Sequence, residues 1–283
     1  MHFRTCFSLL ILLLTAPVNA GYPQRIISLA PHTTELIFAA GAGDRLIGVS
    51  AYSDYPEQAK QLPVVANAQQ INIETILQLK PDLIIYWQQG NSAADINQLR
   101  QFGIPLYASK LGGLENVALQ IKQLGQLLGT QAIADPVSDA YLNELRKLRI
   151  AYQNNPPLDL FYQVWPKPLM TVANDEWLQA QFELCGFNNV FKQSPVPYPV
   201  VNIEQVIVKQ PTVIIAGTLN ETGLSQWHKW QTIPAVSKGN LFQIDPNLSY
   251  RFSPRVLSGI QNLCDIASQV HQDAGSPIPA PAL

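Results

Sequence analysis

The sequence predicts an α/β protein of two similar lobes, each with a central parallel sheet, joined by one long rigid helix, with a ligand cleft between the lobes. Three observations predict it. Short, near-continuous apolar runs such as "DLIIYW" (82–87) alternate with amphipathic stretches, the pattern of buried parallel strands joined by crossover helices. The chain also repeats itself. "INIETILQLKPDLIIYW" (71–87) and "VNIEQVIVKQPTVIIAG" (201–217) align without a gap at an offset of 130, matching Asn72 with Asn202, Glu74 with Glu204 and Pro81 with Pro211. Between the copies, "QAIADPVSDAYLNELRKLRIAY" (131–152) keeps a helical apolar period.

Taken in order, "MHFRTCFSLLILLLTAPVNA" has a basic start, a short apolar run and small residues at Val18-Asn19-Ala20. It reads as a cleavable secretory signal over residues 1–20, too short to span a membrane. Residues 21–130 are expected to form the first lobe. There "RIISLA" is a strand, "HTTELIFAAG" a helix capped by Thr33 or Thr34, "LIGVS" a strand, and "INIETILQLK" a helix capped by Asn72 and stopped by Pro81. "NSAADINQLRQFG", "IPLYAS" and "GLENVALQIKQLGQLLG" continue as helix, strand and helix. Residues 131–155 are the connecting helix, where Pro136 either bends the helix or restarts it with Asp135 as cap. Residues 156–271 repeat the plan: "LFYQVW" and "PLMTVAN" as strands, Asn174 capping "DEWLQAQFELCG", the second copy of the repeat, "LFQID" as a strand and a last helix. "QDAGSPIPAPAL" (272–283) reads as a disordered tail.

Composition narrows function. Eighteen basic against 20 acidic residues leave no cationic surplus for broad nucleic-acid binding. Three cysteines become two once Cys6 leaves with the signal. In an exported, oxidising compartment Cys185 and Cys264 are expected to pair, closing a loop worth on the order of 4 kcal/mol, the alternative being two buried thiols. No HExxH, CxxC, GxSxG or P-loop pattern occurs. A hydrolase acting through Ser28 or His32, with Asp54 as third member, has no local signature, and His32 reads as a polar loop residue at the cleft edge. The chain is read as a binding protein, not an enzyme, with no resident cofactor or metal.

Ligands of open α/β sheets sit beyond the carboxyl ends of the strands. Those ends collect Pro31, Tyr52, Tyr55, Tyr86, Trp87, Trp165 and Tyr198, and later loops add Trp227, Trp230, Tyr250, Arg251 and Phe252. Such a lining suits a broad, partly apolar ligand. Only Arg251, with Arg255 beside it, comes near, so the cleft is expected to be nearly neutral, unlike a site for a ferric catecholate. Glu74 and Glu204 have two explanations. Each favours its helix dipole by about 0.3–1 kcal/mol. Being matched, one per lobe, they also suit docking on a twofold-symmetric partner with basic pockets.

"RIISLAPHTTELIFAAG", "GVSAYSDYPEQA", "NIETILQLKPDLII" and "VNIEQVI" resemble the substrate-binding proteins of ABC importers for cobalamin, iron siderophores and haem, over about Arg25 to Val270. "SAYSDYP", "YW..GN" (86–91), "VPYP" (196–199) and the two cysteines narrow the resemblance to cobalamin-binding members, with haem or a ferric siderophore as the alternative ligand. The resemblance implies a monomeric periplasmic protein that carries a corrinoid between its lobes to a dimeric permease. It implies ligand contacts at Pro31, Tyr52, Trp87, Tyr198, Asp245 and Arg251, and permease docking through Glu74 and Glu204. Where the family has a cleft tryptophan ahead of "INIE", this chain has Ala68. Trp165 is the expected replacement.

Overall fold

Strand β1 (Ile26–Ser28), β2 (Leu46–Ser50), β3 (Val64–Ala66), β4 (Leu83–Trp87) and β5 (Leu106–Ser109) form the first sheet in the order β3-β2-β1-β4-β5, with every pairing parallel. It belongs to a computed structural model that describes residues 21–218, 222–273 and 275. The expected signal at 1–20, and the expected tail from 276 on, lie outside the described residues. Helices α1 (Pro31–Ala39), α2 (Ile73–Leu79), α3 (Ala93–Gln101) and α4 (Glu115–Leu128) surround this sheet, and α5 (Gln131–Tyr152) leads out of the lobe.

The second sheet is built on β6 (Leu158–Pro166). Its remaining strands are β7 (Leu169–Thr171), β8 (Phe187–Asn189), β9 (Val213–Ala216) and β10 (Leu241–Gln243), in the order β10-β9-β6-β7, with β8 also on β6. Three pairings are parallel, but β7 runs antiparallel to β6, so this sheet is mixed at that edge. The reason is local: only Lys167 and Pro168 separate β6 from β7, and so short a link can only turn the chain back. The short β8 has no counterpart in the sequence reading. Helices α6 (Glu176–Leu184), α7 (Ile203–Lys209), α8 (Thr222–Ser225), α9 (Pro234–Ser237), α10 (Pro246–Ser249) and α11 (Val256–Asp273) complete the lobe. α11 carries Gln272 and Asp273, two residues that the sequence reading assigned to the tail.

Two helix starts differ from expectation, and a third helix settles an open alternative. α1 starts at Pro31, whose ring suits the first helical position, and Thr33 instead accepts a hydrogen bond from the Ala30 N–H through its hydroxyl. α6 is capped by Asp175, not Asn174: its carboxylate accepts from the Leu178 N–H at 2.9 Å. α5 is one helix through Pro136, which lies on its exposed face, where water can take the carbonyl that proline leaves unbonded.

α5 buries Ala134, Ser138, Tyr141, Leu145 and Leu148, one stripe at helical spacing. Its hairpin with α4 is pinned by Ser138 Oγ donating to the Ala118 carbonyl and the Tyr141 hydroxyl donating to the Leu114 carbonyl at 2.8 Å. Gly125 lets the two helices touch; a Cβ there would lie 2.3 Å from that of Ala134. Alternation along each strand separates the cores. Ile27, Ile84, Ile96 and Leu99 pack on the outer face of the first sheet, and Phe161, Ile214, Trp227 and Ile233 on that of the second. Ile26, Ile85, Leu124, Tyr141, Leu145, Tyr162, Phe182, Ile260 and Leu263 belong to one larger core that runs through both lobes. Full burial of each such aliphatic side chain stabilises the fold by about 1.5–3 kcal/mol. Cys185, at the end of α6, is disulfide-bonded to Cys264 on α11, as expected.

Candidate ligand-binding cleft

The first sheet reverses its strand order between β1 and β4, and the candidate site starts beyond that point. Asn91 closes the gap between the two strand ends. Its Oδ1 accepts from the Trp87 N–H at 2.7 Å and its Nδ2 donates to the Leu29 carbonyl at 3.0 Å. Gly90 lies under the Trp87 ring, and a Cβ there would come within 1.8 Å of it, so the "YW..GN" spacing seats this ring. Trp87 is half-buried, and its Nε1 has no hydrogen-bond partner among the described residues.

His32 meets Trp87 edge to face, with ring centroids 5.5 Å apart, and contacts Phe252 at 6.2 Å. Phe252 in turn stacks against Trp177 of α6 at 4.7 Å. A chain of rings thus crosses from the first lobe to the second. His32 is the second residue of α1 and is buried, not a polar loop residue, and its Nε2 lies 3.4 Å from Ser109 Oγ. Burial lowers its pKa to about 3, so it is neutral at neutral pH.

Tyr52 stands on a tight turn after β2 with a left-handed backbone (φ 64°) and is 79% exposed. Buried hydroxyls hold that turn. Ser53 Oγ bonds both Ser50 Oγ and Thr34 Oγ1, and Thr34 Oγ1 donates to Ser28 Oγ at 2.8 Å. The polar letters of "SLAPHTTE" therefore fasten the loop that displays Tyr52, and Ser28 is used up in this cluster. Pro31 is half-buried at the start of α1.

In the second lobe, Trp165 is 58% exposed near the carboxyl end of β6. Tyr198 is held by its hydroxyl, which donates to Asp175 Oδ2 at 2.7 Å. Burial and this bond push its phenol pKa up. Its loop is laid against β7 by the Thr171 N–H to the Pro199 carbonyl and the Ala173 N–H to the Pro197 carbonyl. Asp245 caps α10 through the Asn247 N–H at 2.8 Å, and Arg251 Nη2 donates to Asn247 Oδ1 at 2.9 Å, so Asn247 links the two. Trp227, expected in a cleft loop, is instead fully buried in the outer core of this sheet, where its Nε1 donates to Gln163 Oε1.

The sequence reading missed the most highly charged feature. Glu35 of α1 is buried and binds both Arg251 and Arg255 from the other lobe, while Arg251 also reaches Asp54. That bond, above all, holds the Asp54 carboxyl below the usual carboxylate range. Arg255 lies over the Tyr55 ring at 4.1 Å. Glu35 is the lone carboxylate in the otherwise uncharged "TTELIFAAG", the one available signal for it. Glu74 and Glu204 are exposed, each at the second position of its helix, α2 or α7.

A model of the periplasmic binding protein family matches residues 26–248. The chain belongs to that family. Within the family it is 39% identical over 273 residues to the vitamin B12-binding protein of Vibrio campbellii, covering 96% of this chain and 99% of the other. The vitamin B12-binding protein of Vibrio cholerae is 42% identical over 242 residues, covering 85% and 88%. A crystal structure of the periplasmic vitamin B12 binding protein BtuF of Vibrio cholerae superposes with a TM-score of 0.82 at 40% identity, over 88% of this chain and 98% of that one. The family fold extends further: the periplasmic heme-binding protein RhuT from Roseiflexus gives a TM-score of 0.75 at 22% identity over 89% and 99%, a likeness of fold alone. Among the described residues no helix is long and apolar enough to cross a membrane.

Proposed function

We propose that this protein is a periplasmic binding protein that captures cobalamin between its lobes and delivers it to a dimeric ABC importer permease, performing no chemistry on it. The observation that carries the ligand class is the pairing of the cleft's charges. Arg251 and Arg255 are both committed to Glu35, and Arg251 also to Asp54. What remains toward the ligand is aromatic: Tyr52, Trp87, Trp165 and Tyr198, with Pro31 beside them. A corrinoid, broad and edged with amides, suits rings and a few hydrogen bonds, whereas a ferric catecholate or haem carboxylates call for cations with no partner of their own. The names of the relatives at about 40% identity support the same ligand. Asp245 and the already ion-paired Arg251 add polar contacts at the edge of the α10 turn without offering an uncompensated positive charge. Glu74 and Glu204 meet basic pockets of the permease, and the free protein is a monomer. The exported signal read at residues 1–20 and the disulfide between Cys185 and Cys264 support a periplasmic location.

The test is calorimetric titration of the ligand-free mature protein with cyanocobalamin, with tryptophan fluorescence alongside. A one-to-one complex at micromolar or tighter affinity, with quenching, is expected. Trp87→Ala should weaken it by about 0.5–1.5 kcal/mol, up to roughly tenfold. A folded protein that gives neither heat nor quenching overturns the ligand assignment.

A further inference from the structure

Glu35 gathers two arginines from the opposite lobe onto one buried carboxylate. Its side chain is 2% exposed. Arg255 grips it with two bonds, Nε to Oε2 at 2.9 Å and Nη2 to Oε1 at 2.6 Å. Arg251 Nη1 donates to Glu35 Oε1 at 3.1 Å and to Asp54, and its Nη2 donates to Asn247. Both arginines then reach the loop after β2: Arg251 holds Asp54, and Arg255 covers the Tyr55 ring. That is the loop that carries the exposed Tyr52 on a left-handed turn.

Buried ion pairs of this kind are weak contributors to net stability, since apolar residues of the same volume often do as well. What they impose is geometry, because a bidentate arginine–carboxylate pair tolerates few orientations. Here the constrained geometry is the spacing between the Tyr52 loop and the α10–α11 segment that carries Asp245 and Arg251. The large apolar core fixes the lobes along α4, α5 and α11, and neither Asp54 nor Tyr55 belongs to it.

We propose that Glu35 is a positioning residue for ligand binding: without touching the ligand, it locks Arg251 and Arg255 against the Tyr52–Pro56 loop and so sets the width of the cleft. The affinity part of this proposal rests on the cobalamin reading above; the geometric part does not.

The experiment uses the mature chain with nitroxide labels on Gln58→Cys, just after the Tyr52–Pro56 loop, and on Gln193→Cys, two exposed positions in different lobes, the native cysteines being paired. Pulsed dipolar spectroscopy gives the interlobe distance distribution without ligand, and titration gives the affinity for cyanocobalamin. Glu35→Gln should broaden or shift the distribution and weaken binding about tenfold or more, and Glu35→Asp should restore part of both. Asp54→Asn, on the solvent side of the cluster, should act in the same direction more weakly, and replaces Glu35→Gln should the latter not fold. Unchanged distances overturn the proposal whatever happens to the melting temperature. So do altered distances with unchanged affinity, which would leave a structural role only. Should the wild type not take up cyanocobalamin, the proposed function falls, while the distance comparison still upholds or overturns the locking role of Glu35.

Discussion

Glu74 and Glu204 occupy the same place in two copies of one local structure. Each follows an asparagine whose side chain accepts a hydrogen bond from the third helical N–H: Asn72 from Thr75 at 3.0 Å, Asn202 from Gln205 at 2.8 Å. Each helix ends on a left-handed residue, Lys80 (φ 50°) or Gln210 (φ 48°), and a proline and a buried strand follow. Both carboxylates are exposed, and among the described residues neither forms a salt bridge.

If these carboxylates meet a twofold-symmetric partner, removing both should cost docking and nothing else. The Glu74→Ala/Glu204→Ala protein is expected to bind cyanocobalamin as the wild type does, and to lose affinity for the reconstituted permease by more than either single variant. Measurement is by surface plasmon resonance on permease in nanodiscs. Equal docking by wild type and double variant would return both residues to the helix-dipole role.

The disulfide should carry a measurable share of stability. It joins residues 79 apart, and in the chain-entropy model such a loop contributes on the order of 4 kcal/mol by restricting the unfolded chain. Cys185→Ser/Cys264→Ser should therefore unfold at clearly lower urea than the oxidised wild type, and reducing agent should bring the wild type to the same midpoint. Coincident midpoints before and after reduction would contradict this.

His32 makes stability depend on pH. Its ordinary pKa of 6.5 falls to about 3 on burial in the fold. Between these values the unfolded chain binds a proton that the folded chain refuses, so stability is full above about 6.5 and declines as pH falls toward 3. The slope attributable to His32 is on the order of 1 kcal/mol per pH unit over that window. Urea unfolding of wild type and His32→Asn from pH 7 to 5 measures it. The wild-type curve should fall more steeply, and parallel curves would rule out His32 as the source.

The two-lobed plan was legible because it rests on local signals: the repeat at 71–87 and 201–217, the alternation of apolar runs with helical periods, and a period that persists from Gln131 to Tyr152. The place of Trp87 at the carboxyl end of β4 was legible, although what seats its ring, Gly90 beneath it, needed coordinates. The Glu35 cluster was not legible. Glu35 lies more than 200 residues from either arginine along the chain, and a helix carboxylate in an apolar stretch gives no sign of its distant partners. Trp227 misled for the complementary reason: the sequence surrounding it is polar, and only tertiary packing shows that its ring enters the outer core while Gln163 takes its N–H. The antiparallel β7 escaped because strand direction depends on the length of the link, which apolar periodicity does not report.

The core shared by the lobes bears on cooperativity. Two lobes with separate interiors could melt one after the other, each at its own temperature. Here Ile26 and Ile85 from one lobe belong to the same apolar interior as Phe182 and Leu263 from the other, with α4 and α5 between them. Loosening either lobe exposes surface that belongs to both, so calorimetry should record a single transition. A molecule bound in the cleft then raises the melting of the whole chain, including helices such as α3 and α9 that lie on the far sides of the sheets.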